Sequence, residues 1–150
     1  MPTLLGKPYA TDWRGVPPHM LETDIPVWYR FLEKWGHIFT NLYYDCLLGG
    51  PLLTPEQLKD RYWQMWRANT SKRADAIAEL PEEVWVIEVA RRPGLRAVGQ
   101  LMVYINLWIE DPAILKPEKP ILVCEEVDTD LIASAARYGI RTHVMPGPQL

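Results

Sequence analysis

The chain has 150 residues, a net charge of -3, 48% hydrophobic and 23% charged residues, which is the make-up of one globular domain with a proper core. That charge excludes a broadly basic nucleic-acid-binding surface, so any contact with DNA has to be local. The two cysteines, Cys46 and Cys124, have no metal-ligand spacing and exclude a disulfide framework. They read as buried thiols of a reducing compartment.

In chain order, residues 1–26 hold Pro2, Pro8, Pro17, Pro18 and Pro26 without sustained periodicity. They predict an extended arm that packs on its own domain or on a neighbouring subunit. The domain proper is expected over 27–146, with 147–150 as a tail. Val27–Gly36 predicts a short amphipathic helix, and His37–Leu48 a strand stopped by Gly49-Gly50-Pro51. Thr54-Pro55-Glu56-Gln57 is a helix start with cap, first-turn proline and capping-box glutamine. Leu58, Tyr62, Met65 and Trp66 follow at helical spacing, and the Trp and Tyr of 28–66 read as core or subunit contacts.

Next comes a hairpin. Arg73–Glu79 and Val84–Ala90 both alternate with the period of a strand, around the loop Leu80-Pro81-Glu82-Glu83. With Glu79 opposite Val84, Asp75 falls opposite Glu88 and Arg73 opposite Ala90, all four on one face. Opposed carboxylates repel unless something positive lies between them, and a divalent metal is the simplest candidate. The plain alternative is a solvent-facing pair held by Arg73 or Arg92. The metal reading requires a cleft covered by the following helix.

That helix begins near Pro93, buries Leu95, Val98, Met102, Ile105 and Ile109, and ends at Asp111-Pro112. Pro120–Glu125 is an apolar run of strand length. Asp128 caps a helix that Gly139 ends, and Ile140–Met145 is a last strand. The order helix, strand, helix, hairpin, helix, strand, helix, strand predicts an α/β fold with a mixed central sheet flanked by helices. No apolar run is long enough for a membrane span, and no secretory signal is visible.

Asp75 in Arg73-Ala-Asp75, Glu88 on the next strand and Gln100-Leu-Met-Val-Tyr104 on the next helix resemble, in order and spacing, the PD-(D/E)XK nuclease superfamily. The resemblance covers about 28–145 in architecture, with its motifs inside 73–104. It implies a restriction-endonuclease-like core and Mg²⁺-dependent hydrolysis of DNA phosphodiesters. Asp75 and Glu88 would hold the metal, with the carbonyl of Val89 or Ala90 as a further ligand, and Gln100 would orient substrate or water. The departure is Ala90, which stands where the family has Lys. Arg73 or Arg92 can replace that Lys as a charge but not as a base.

Glu33 and Asp45 are further candidate carboxylates, each with an ordinary reading as a solvated or strand-end residue. Lys72, Arg73, Arg91, Arg92 and Arg96 form a basic rim around the motifs, while His19, His37 and His143 have no ligand spacing. The resemblance also implies an alternative: a catalytically silent structural protein of a tailed bacteriophage, near the head–tail junction, assembled as a homo-oligomer through its Pro-rich arm. The expected location is cytoplasmic, or the virion if phage-encoded.

Overall fold

The computed structural model describes residues 3–148. Its centre is one five-stranded mixed sheet in the order β1 (Asn41–Leu48), β2 (Lys72–Glu79), β3 (Val84–Ala90), β4 (Glu118–Cys124) and β5 (Arg141–Val144). The first three strands pair antiparallel and the last two continue parallel. This division follows from the connections: a tight loop joins β2 to β3, whereas helices α4 (Leu95–Glu110) and α5 (Thr129–Arg137) carry the chain back for β4 and β5. The α/β architecture expected from the order of elements is the one observed.

Helix α1 (Ile25–Trp35) covers one face, burying Val27, Trp28, Phe31 and Leu32 against Leu42, Tyr44, Ala76, Trp85 and Ile87. The opposite face is covered by α4, whose Tyr104 and Trp108 pack with Ile77, Val84 and Val86. Farther along, Ala97 and Leu101 meet Leu122, Ala135 and Ile140. Burying each of the large side chains stabilises the fold by about 1.5–3 kcal/mol. The buried stripe of α4 is therefore Ala97, Leu101, Tyr104 and Trp108; of the expected series, Val98, Met102 and Ile105 pack partly buried at its edge, and Leu95 and Ile109 do not. Leu95 is 85% and Ile109 53% exposed. Both candidate stripes have helical spacing, and the sheet selects the one whose two aromatic rings fill the space above β2 and β3.

The start at Thr54 has the expected reciprocal capping box with Gln57. The helix it opens is one turn only, α2 (Pro55–Leu58), because Asp60 breaks it and caps α3 (Arg61–Thr70) by accepting the Tyr62 N–H. Residues 36–38 form a 3-10 turn, so β1 starts later than the sequence indicates. The N-terminal arm lies on its own chain. Leu4 bridges to Leu47 and Tyr9 to Leu42, so the arm runs beside the outer edge of β1. Met1 and Pro2 of the arm, and Gln149 and Leu150 of the tail, lie outside the described residues. No helix among the described residues is long and apolar enough to cross a membrane.

A candidate metal cleft at the end of the central hairpin

The β2–β3 ladder has the register expected from the sequence, with Glu79 opposite Val84 and Ala76 opposite Ile87. The ladder stops there, while β3 goes on pairing with β4 as far as Ala90 and Cys124. The rung that would follow is Asp75 with Glu88. In its place the Asp75 carboxylate accepts the backbone N–H of Val89 at 2.8 Å. A side chain has taken the bond that a backbone carbonyl would make, so the two strands part here; a cleft lies at the end of β3, between it, the start of α4 and the segment before α1.

A second irregularity lies alongside. Asp45 on β1 has φ 54, a left-handed conformation uncommon for a residue other than glycine. Across it the side-chain alternation of β1 reverses. Leu42 and Tyr44 face α1, whereas Cys46 and Leu48 face α4. The Asp45 carboxylate is held by Arg73 at 2.7 Å and lies 3.3 Å from His19, itself at φ 60. Its second oxygen is buried without a hydrogen-bond partner.

The cleft has a volume of ≈ 300 Å³ and is lined by Glu88 and Ala90 of β3, by Arg92, Arg96 and Gln100, and by Asp24. Asp75 is not at its wall, but its carboxyl and that of Glu88 are near enough to perturb each other. One oxygen of Glu88 is buried and makes no hydrogen bond. Burial raises the proton affinity of both carboxyls, and for Glu88 the adjacent Asp75 charge adds to the rise. Two interacting acids cannot both ionise cheaply, so without a cation the pair keeps a proton well above the ordinary carboxylate range. Tyr104 lies one turn beyond Gln100, buried beside the pair. Burial first, then the charges of Glu88 and Asp75, push its phenol up to about 12.

Asp24 has no counterpart among the residues singled out from the sequence. It occupies the N-cap position of α1 but makes no side-chain cap; its carboxylate instead accepts the Arg91 N–H at 2.8 Å. Burial raises its pKa, and that hydrogen bond opposes the rise. Its charge is felt at both Asp75 and Glu88. An Asp just before Ile-Pro reads as an ordinary helix start, and only the tertiary contact with the end of β3 reveals another use.

Other candidates are placed as follows. Gln100 lines the cleft, with Arg96 one turn before it on the same helix. Arg96 is exposed and in no ion pair among the described residues, and it acts to lower the Glu88 pKa. Arg92 also lines the cleft and pairs with Glu126 at 2.9 Å. Arg73, expected opposite Ala90, is a correction. The strands have already parted at that level, and its guanidinium goes to Asp45 and to the carbonyl of Ala68. Glu33 is exposed on the far face of α1. His143 packs edge-on against Phe31 and Trp35 and tilted against Trp85.

The donor set suits a hard divalent cation. Glu88 faces the cleft and interacts with Asp75 outside its wall, one Glu88 oxygen is buried without a partner, and both groups would be relieved of their raised proton affinity by positive charge. Asp75 and Glu88 are the protein's ligands in that fit, and the described residues contain no cluster of three or more His, Cys, Asp or Glu arranged around one point. The remaining positions would have to come from main-chain carbonyls, substrate and water, as is usual for Mg²⁺. Scans of the chain against protein-family models, curated proteins and solved structures find no match.

Proposed function

We propose that the protein is a metal-dependent phosphodiesterase acting on DNA, of the PD-(D/E)XK type. The observation that carries this reading is the parted hairpin. It holds two interacting carboxyls, one with an unsatisfied buried oxygen, beside a cleft with two arginines on its wall. A structural surface pair would be solvated and its proton affinity would not be raised by burial.

Asp75 and Glu88 would hold Mg²⁺, which when bound polarises a phosphate oxygen and lowers the pKa of its water. The chain's own groups divide the other tasks. Arg96 and Arg92 place positive charge where a phosphate would enter, and neither can accept a proton. Gln100 offers both a donor and an acceptor to orient substrate or water. The side chain of Ala90 is only a methyl group, so no side chain on β3 replaces the family Lys. Asp24, lining the cleft with its pKa raised by burial, is the group best suited to take the proton of an attacking water.

The test is incubation of plasmid and linear DNA with Mg²⁺ or Mn²⁺ beside an Asp75→Ala/Glu88→Ala control. Metal-dependent cleavage that is absent from the control supports the reading. Absence of cleavage with either metal overturns it.

Ala90 favours one second reading: the fold persists as a structural protein without chemistry, for instance a virion component that assembles as an oligomer. That reading expects no cleavage under any metal and a large discrete mass in light scattering.

A further inference from the structure

Between β1 and β2 the chain makes an excursion, α2 and α3, that packs on itself and only marginally on the sheet. On α3 the stripe that points to solvent is the apolar one. Tyr62, Met65 and Trp66 are 67%, 56% and 40% exposed, while Trp63 and Arg67 turn inward. Tyr62 and Trp66 each meet Trp63 edge to face, at 5.5 Å and 5.3 Å between ring centroids. Trp63 thus props two outer rings. An apolar stripe with this spacing normally faces a core, so its outward orientation calls for an occupant.

We propose that this excursion is a stacking platform for single-stranded DNA. The charges around it select that occupant. Residues 55–72 carry four basic and two acidic side chains, in a chain of 16 basic and 19 acidic ones. Helix α3 contains no carboxylate, and Asp60 is occupied as its cap. Lys59, Arg61 and Lys72 are exposed and in no ion pair among the described residues. Unpaired cations beside open aromatic rings match a strand that presents phosphates and bases alternately. An apolar protein partner would call for a centre depleted of charge.

Position adds a second argument. Lys72 opens β2 three residues before Asp75, so the root of the platform is about 10 Å along the strand from the carboxyl pair. A strand lying over Tyr62 and Trp66 would be held at the same end of the sheet as the cleft. The inference rests on the phosphodiesterase reading for the fate of the strand, and not for its capture.

The experiment is fluorescence anisotropy of a labelled oligo-dT of about 16 nucleotides, and of a duplex of equal length, without metal. It is run at about 50 mM and about 200 mM salt. The full chain, Tyr62→Ala/Trp66→Ala, Lys59→Ala/Arg61→Ala/Lys72→Ala and Asp75→Ala/Glu88→Ala are compared, with circular dichroism verifying each fold. The single strand is expected to bind more tightly than the duplex. Loss of the two rings should weaken it by about tenfold or more, and loss of the three cations should flatten its salt dependence. Capture is read without metal, so oligo-dT binding that persists in Asp75→Ala/Glu88→Ala, which cannot cleave, separates this inference from the reading of the cleft. No binding of oligo-dT, binding indifferent to Tyr62 and Trp66, or an oligomer that those substitutions disperse would overturn it; the last would assign the rings to a second copy of the chain.

Discussion

A carboxyl whose proton affinity is raised by burial and a neighbouring acid is costly, and Glu88 is such a group. Its folded pKa is raised, so above the ordinary carboxylate range of about 4 the unfolded chain releases a proton that the folded chain retains. Stability is thus greatest below that range and falls as pH rises towards the folded value. Glu88→Gln mimics the protonated form. Urea unfolding should find the variant more stable than the parent at pH 8 by on the order of 1–3 kcal/mol, with the difference closing near pH 4. Asp24 makes a different prediction. Asp24→Asn keeps the shape and an acceptor for the Arg91 N–H but cannot take a proton. With saturating Mg²⁺, the cleavage rate should fall about 10²–10⁴-fold with little change in the metal concentration needed. A parallel loss of metal affinity would make Asp24 a ligand instead.

Among the elements, the hairpin was the most legible. Its register follows from Glu79 opposite Val84, because a four-residue loop and strict alternation leave one pairing that buries Ile77, Val84 and Val86 together. The sequence does not reveal where the ladder ends, because that depends on the Asp75 side chain competing for a backbone N–H. Arg73 was misplaced for this reason: alternation was extended past the point where pairing stops. The α4 stripe is only partly legible: Val98, Met102 and Ile105 flank the core, but its centre is Leu101, Tyr104 and Trp108. Apolar residues occupy most of that helix, so periodicity alone does not select a face, and the selection rests on Trp108 and Tyr104 filling the volume over the sheet. Trp108→Ala should cost about 3–5 kcal/mol in chemical denaturation. Leu95→Ala and Ile109→Ala, on the face once expected inside, should each change stability by under about 0.5 kcal/mol. Asp24 is not legible in the sequence, since its partner is the main chain just past β3, far away along the chain.

For the molecule as a whole, the sheet has two edges, and the arm is placed to manage one of them. Leu4 and Leu47 exchange two backbone hydrogen bonds, and Tyr9 donates to Leu42, so the outer side of β1 is partly occupied by the chain's own N-terminal segment. Tyr9 also joins Trp13 and Tyr44 in an aromatic group that reaches the α1 core. Removing residues 1–12 would bare the β1 edge and uncover those rings. The expected result is concentration-dependent association in light scattering, with little loss of far-ultraviolet ellipticity. An unchanged monomer would show that β1 needs no cover.

The proton on Glu88 also couples the cleft to the solution around it. A cation entering beside Asp75 would have to displace that proton, so uptake of the ion should acidify an unbuffered sample. In calorimetry the apparent heat should vary with the ionisation enthalpy of the buffer, and affinity should climb by about tenfold per pH unit until the carboxyl is already bare. Magnesium and acidity would then act as antagonists at one carboxyl, each weakening the hold of the other.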